Sequence, residues 1–254
     1  MANSNCPTFA QVVADGQVFK GGRRLIGFRL DGMPRYAAFP MGVTTIVGRD
    51  QARKRAHVLL HLLVALLRGY AVTVCDPHWK KERSLFQTLS PLASWITFAS
   101  TSDEVLCIAQ GFLHEFEQRK QGVLLPPRLL VFDAVSSLVS WSAPLSECVM
   151  QVVQTVSAEG SSEQVDILLA DSDFIRSDDV VRLALKHTFI HTPLHGGQFG
   201  DAQHTRDFAY HVSTQGEMEY LTQPSVDAAD ISMVAVLLEE MGIPVLAEKS
   251  NGGE

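Results

Sequence analysis

Thr44-Thr45-Ile46-Val47-Gly48-Arg49-Asp50-Gln51-Ala52-Arg53-Lys54-Arg55-Ala56, running into the apolar segment 58–67, decides how this chain is read. The β-branched run at 44–47 predicts a strand, the polar residues after it a tight loop, and the leucine-rich segment a helix. Strand, loop and helix in that order are the setting of the phosphate-binding pattern GxxxxGK[ST]. Gly48 and Lys54 stand at its first glycine and its lysine. Arg53 occupies the place of the second glycine, and Arg55 the place where a Ser or Thr hydroxyl would meet magnesium. A Gly and a Lys at this spacing occur by chance in many chains, so the surroundings carry the reading.

Those surroundings alternate between strands and helices. Residues 25–29 and 35–39 predict a β-hairpin about Asp31-Gly32, and Pro40-Met41-Gly42 turns the chain into the strand 44–47. The helix 50–67 ends at Arg68-Gly69, where a last-turn cation and a glycine cap are expected. A buried strand at 71–75 leads into Asp76-Pro77-His78, followed by a short helix at 82–89 and a strand at 95–99. Ser102-Asp103-Glu104 opens a helix with a capping residue and acidic first turn, and Val105, Ile108, Phe112 and Phe116 keep its period to about Gln121. The apolar strand 128–133 ends on Asp133. Pro144 starts a helix to about Glu159, and the strand 165–170 follows. A helix at 177–185, strands at 187–191, 208–212 and 219–221, and a helix at 226–241 complete the pattern. Strands apolar on both faces and alternating with helices predict a parallel sheet covered on both sides.

The chain has 254 residues, 46% of them hydrophobic and 19% charged, enough for the core of one α/β domain. The expected organisation is an N-terminal arm at 1–20, one domain at 21–243 and a polar tail at 244–254. A net charge of −7 argues against a broad nucleic-acid surface and leaves room for a local basic patch. Cys6, Cys75, Cys107 and Cys148 form no CxxC pair, which suggests reduced thiols rather than a disulfide framework or a zinc ribbon. The longest apolar run, 58–67, is too short to span a bilayer and contains His61, and residues 1–7 carry neither a basic nor an apolar targeting region. The expectation is a soluble cytoplasmic protein with no membrane partner.

Taken in order, these pieces resemble the FtsK/HerA-type translocase ATPases, a branch of the RecA-like P-loop proteins. Ile26-Gly27 and Leu30-Asp31-Gly32 look like the hairpin before the family's P-loop, and Asp76-Pro77-His78 is similar to its Asp-Pro-Lys. Leu129-Leu130-Val131-Phe132-Asp133 resembles its Walker B strand. Ala158-Glu159-Gly160 with the strand 165–170 resembles the next helix end and sensor strand, and Gln223-Pro224-Ser225-Val226 its closing helix. The likeness covers about 24–240 with no motif intact. It implies a RecA-like P-loop three-layer sandwich with a mainly parallel central sheet and a short N-terminal β-hairpin, acting as a ring oligomer or beside a protein partner.

ATP hydrolysis in such a fold needs a lysine, a hydroxyl and an Asp on magnesium, and an acid that positions water. Lys54 and Asp133 are present, so ATP with magnesium on Asp133 is the cofactor the resemblance implies, if any binds. Ala134 stands at the Walker B glutamate, and Asp171-Ser172 where the family has Thr and Gln. Losing a positioned acid–base group alone removes ~10²–10⁴ in rate. The expected function is therefore a catalytically degenerate, structural or regulatory subunit of a DNA-processing or DNA-translocating assembly. The alternatives are a slow ATPase using Lys54, Asp133 and a carboxylate from Asp76 or Asp171, and an adaptor for a protein partner without nucleotide or DNA.

Gly48, Arg49, Arg53, Lys54 and Arg55 are the candidate nucleotide or anion site. Cations crowding a helix N-terminus are unfavourable by roughly 0.3–1 kcal/mol each, which an anion would relieve. That anion could belong to a nucleotide, a DNA backbone or a partner's carboxylate. Equally, the turn can be a solvated basic loop, with Asp50 and water compensating and Arg53 filling the vacated phosphate site. His57 and His61, and His187, His191 and His195, recur four apart, which raises a metal site. Satisfied or half-exposed histidines explain them better. Gly196-Gly197 with Gly200 marks a flexible loop, read equally as a mobile binding segment or a long turn, and Trp79, Trp95 and Trp141 are too scattered for a base-stacking platform.

Overall fold

The chain alternates helices and strands in the order α1 (Phe9–Ala14), β1 (Phe19–Lys20), β2 (Arg23–Phe28), β3 (Pro34–Ala37), β4 (Val43–Gly48), α2 (Gln51–Leu67) and β5 (Ala71–Cys75). There follow α3 (Leu85–Thr88), a 3-10 turn at Ser90–Leu92, β6 (Ile96–Ala99), α4 (Ser102–Lys120), β7 (Arg128–Asp133), α5 (Val135–Val139), α6 (Ala143–Glu159) and β8 (Val165–Asp171). After these come β9 (His187–His191), β10 (Phe208–Val212), β11 (Met218–Thr222) and α7 (Ala228–Glu240). The structure, a computed structural model, describes residues 6–38, 41–48, 51–82, 84–160, 162–172, 187–191, 208–212 and 218–245. The anticipated helix 177–185, the glycines 196, 197 and 200, His195 and the tail beyond 245 lie outside these residues.

The described strands form one sheet. Its parallel part runs β9-β4-β8-β7-β5-β6, and β10, β11 and β2 extend it antiparallel from β9, with β1 and β3 both paired to β2. This is the α/β architecture of a RecA-like P-loop domain. β8 lies between the phosphate-loop strand β4 and the strand that ends on Asp133, so the carboxyl ends of all three meet at one edge of the sheet.

Alternation explains why the central strands are largely apolar on both faces. Ile46, Val72, Val74, Leu129, Val131, Leu168 and Ala170 face one side, where they join the core under α1, α2 and α7. Val43, Cys75, Leu130, Phe132, Ile167 and Leu169 face the other, with α4, α5 and α6. Each of these strands feeds two cores, which is why apolar residues follow one another without a polar alternation.

α2 is unusual in having no polar face along its body. Residues 57–66 are all buried, because the helix lies between the sheet and α7 and is covered from both sides. The two histidines in it, expected to be satisfied or half-exposed, are 0% and 1% exposed for the same reason. Its start is seen at Gln51; Asp50 lies outside the described residues.

Local capping moves several boundaries. Ser84 Oγ accepts from Gln87 N at 3.1 Å, so α3 begins after it and not at 82. Thr101, not Ser102, caps α4, and Glu104 closes the box by accepting from the Thr101 N–H at 3.1 Å. The short α5 follows β7 with no loop, a turn the sequence pattern did not suggest. Within the stretch read as an N-terminal arm, Thr8 and Gln11 form a capping box and Phe9 and Val12 of α1 are fully buried next to α7.

β2 and β3 form the anticipated hairpin, with Gly32 at φ 80° in its turn. Gly27, at φ 146°, sits where β2 slips register against β3 and meets β11. A Cβ built there would lie 2.9 Å from the Thr222 carbonyl oxygen and 3.2 Å from Leu221 Cβ. Gly27→Ala is expected to lower unfolding free energy by about 1–3 kcal/mol, the usual range for a side chain forced into such a conformation. Urea unfolding of the two proteins measures it, and an unchanged midpoint would show that the β2–β11 junction adjusts without strain.

Candidate functional site

The register brings the acidic strand ends together. Val47 of β4 lies opposite Asp171 of β8, Ala170 opposite Asp133 of β7, and Phe132 opposite Cys75, the residue before Asp76. A cavity of about 360 Å³ opens over these ends, against the first turn of α2. Lys54, Arg55 and Gln51 line it from the helix, Asp133, Ala134, Ser136 and Ser137 from the end of β7 and α5, and Asp171 and Ser172 from β8. His78, Lys81 and Ser84 close the side under β5, with Glu82 on its exposed rim.

Two of the three strand-end carboxylates are already engaged. Asp76 is buried, and its Oδ1 accepts from the His78 N–H at 2.8 Å and its Oδ2 from the Phe86 N–H at 3.2 Å. It shapes the turn after β5 and ties down the start of α3. Asp171 is buried as well; its Oδ2 accepts from the N–H of Ser136 at 2.7 Å and from the Ser136 hydroxyl, and its Oδ1 from the Ser172 N–H at 2.6 Å. This clamp fastens the end of β8 to α5. Ser136 is a site residue that no motif in the sequence marks.

Asp133 is the strand-end carboxylate that faces the cavity with no side chain bonded to it among the described residues. Its pKa is pushed up, chiefly by desolvation, with the nearby Asp76 charge acting in the same direction and Lys54, Arg55 and the Ala134 N–H acting against it. Lys54 is 4% exposed. Burial draws its pKa down, opposed by Asp133 and Asp171 and reinforced by Arg55. Among the described residues Lys54 makes no hydrogen bond and no direct ion pair, so its ammonium points at the cavity without a fixed partner there.

Ala134 follows Asp133 in a left-handed conformation, φ 50° and ψ 56°, and starts α5 without a side-chain cap. A methyl group therefore stands where the resemblance expects a water-positioning glutamate. The magnesium that the fold implies is not matched by these residues. A divalent ion bridging phosphate and Asp133 needs a neutral oxygen ligand from the loop, and Arg55 brings a fixed positive charge to that side.

The other candidates disperse. Gly48 ends β4, buried and paired with His191, while Arg49 lies outside the described residues. Arg53 is half-buried and does not line the cavity. His57 and His61 meet the ring of Phe189 edge-on at 4.3 and 5.5 Å, and the His211 ring stacks on Phe189 at 4.5 Å. Among the described residues no group of three His, Cys, Asp or Glu is placed to hold a metal. Trp79 does belong to an aromatic group: Phe86 joins it to Phe98, at 6.0 and 4.9 Å. Its partners are phenylalanines, which a count of tryptophans overlooks. All four cysteines are free, and Cys107 is on the exposed face of α4. Among the described residues no helix is long and apolar enough to cross a membrane.

Compared by sequence, the chain matches no protein-family model and no curated protein. Compared by structure it resembles FtsK/HerA-type P-loop ATPases. The conjugation coupling protein TcpA of pCW3, in monomer form with ATPγS, superposes with a TM-score of 0.70 at 11% identity, over 95% of this chain and 75% of that one. EssC ATPases 2 and 3 from Geobacillus thermodenitrificans give 0.64 at 12% identity, over 95% and 52%. Thermomonospora curvata EccC ATPases 2 and 3, in complex with a signal sequence peptide, give 0.59 at 14% identity, over 89% and 44%. The chain thus spans three quarters of TcpA and about half of the two-ATPase chains. Identities this low establish the fold alone, an α/β P-loop fold shared with these ATPases.

The raised pKa of Asp133 fixes the sign of a pH effect. Between the unfolded value of 3.8 and the higher folded one, the folded state binds more protons, so stability falls as pH rises. Asp133→Asn removes that loss. Its stability relative to the wild type should climb across this window and level off above it, by about 1.4 kcal/mol for each pH unit that the window spans. Urea unfolding of both proteins from mildly acid to neutral pH measures the difference; a decline with pH would mean that Lys54 and Arg55 outweigh desolvation.

Proposed function

We propose that this chain is a catalytically degenerate P-loop domain that serves as a structural or regulatory subunit of a DNA-processing or DNA-translocating assembly. One observation carries the reading. At the strand ends the residue next to Asp133 presents only a methyl, and Asp76 and Asp171 have both oxygens on backbone or hydroxyl donors. Among the described strand ends no further carboxylate is left to orient a water molecule for attack on a γ-phosphate, because Asp133 would itself be needed for the metal. The frame for holding phosphate is kept, and the group that would activate water beside it is replaced.

The assembly part of the reading draws on the fold. TcpA is a conjugation coupling protein, EccC is a Type VII secretion ATPase, and both share this architecture. A second reading, an adaptor that holds a protein partner without nucleotide or DNA, is favoured by the EccC complex with a signal sequence peptide. The two differ in salt dependence. A DNA contact releases counterions and weakens steeply with salt, whereas an adaptor with a net charge of −7 avoids the phosphate chain.

Phosphate release from ATP with magnesium should stay at the level of buffer alone for the wild type, Lys54→Ala and Asp133→Ala. Release by the wild type that disappears in both variants would establish a slow ATPase built on those two side chains, and the degenerate reading would be withdrawn.

A further inference from the structure

The mismatch with magnesium has a positive counterpart. In a metal-dependent phosphate loop, the divalent ion sits between the acidic strand end and the phosphate and cancels charge on both. Here Arg55 lines the cavity beside Lys54 and Asp133 and acts on the Asp133 carboxylate as an opposing charge. The guanidinium offers several N–H donors in a plane, matched to phosphate oxygens, and stays charged at any working pH. Lys54, only 4% exposed and without a hydrogen bond or ion pair among the described residues, is the second cation aimed into the same space. Asp133 and Asp171 offset part of the cost of burying it, and an anion in the cavity would offset more. The start of α2, a helix of 17 residues, adds the positive end of its dipole.

We propose that this cavity binds a polyphosphate without magnesium, Arg55 taking the place of the metal and Lys54 holding the phosphate chain. The inference rests on the non-hydrolysing reading of the site and names its ligand class: the diphosphate of a nucleotide, or a free diphosphate, as the unmetallated anion. Arg55 supplies one positive charge where magnesium would supply two. The site is therefore suited to the smaller charge of a diphosphate, and a magnesium ion carried in on the phosphate would meet Arg55 as a like charge. Among the described residues the lining carries no Phe, Tyr or Trp ring that would decide between nucleotide and free diphosphate, so the experiment has an arm for each.

The test is calorimetric titration of the full chain with ADP and with pyrophosphate, each in excess EDTA and in excess magnesium. Wild type, Lys54→Met and Arg55→Ser are compared, with their thermal unfolding recorded as a check on folding. The wild type should bind at least one of the two ligands in EDTA, and magnesium should leave the affinity unchanged or weaken it. Lys54→Met should lose about tenfold or more, as expected for removing one member of a desolvated charge pair. Arg55→Ser, which restores the hydroxyl, should bind weakly in EDTA and recover when magnesium is added. Binding of ADP but not pyrophosphate assigns the ligand to a nucleotide; binding of both assigns it to the phosphate chain. Wild-type binding that needs magnesium overturns the inference, as does a wild type that binds neither ligand in either condition. Neither of those results touches the non-hydrolysing reading, which falls only if ATP is turned over.

Discussion

The enclosure of α2 is the constraint on which the rest depends. A helix buried along its whole body at 57–66 cannot hold charge there, so the cations that follow Gly48 are confined to its first turn, at the open end beside the strand termini. Everything that makes a phosphate site possible comes from this placement: the dipole end, the inward lysine, and the acidic residues brought alongside by the parallel register. The same enclosure makes the helix a rigid part of the core. Burying an apolar side chain stabilises by about 1.5–3 kcal/mol, and nearly every residue of this segment contributes.

What the site can do follows from how its carboxylates are used. Asp76 and Asp171 have become structural, one holding the turn before α3, the other locking β8 to α5 through Ser136. Asp133 keeps its freedom in a desolvated position, facing two cations of the helix start. On the proposed reading, such an arrangement would hold an anion and leave water without an activating carboxylate.

Much of the fold was legible because its signals are local and repeated. β5 and β7 fall at the residues their apolar runs predict, and the Asp31-Gly32 turn places the hairpin. Boundaries that depend on a single side chain were harder: Ser84 and Thr101 win the capping positions because their oxygens reach a particular N–H, which a hydropathy pattern does not show. α5 was missed because five residues following a strand carry no helical period, and Ala134 enters it through a left-handed conformation that alanine rarely adopts. Of the residues lining the cavity, Lys54 and Arg55 were picked out by their spacing from Gly48, and Asp133 by its place at the end of an apolar strand. The Ser136 clamp on Asp171 was not, since it joins residues far apart in sequence by a contact only the register creates. The histidines of α2 are not half-exposed, one of the two arrangements expected for them: both rings are buried and packed against Phe189.

At the far end of β4, Asp166 is buried in β8, and its Oδ1 accepts from the N–H groups of Met41 at 2.6 Å and Gly42 at 2.7 Å, with the buried Arg24 guanidinium resting on the Met41 sulfur. The strand is pinned where it enters the sheet, a full strand length from the loop it delivers. The end of β4 therefore takes its position from residues that do not line the cavity. The charges around the cavity can change while the frame that carries them stays in place.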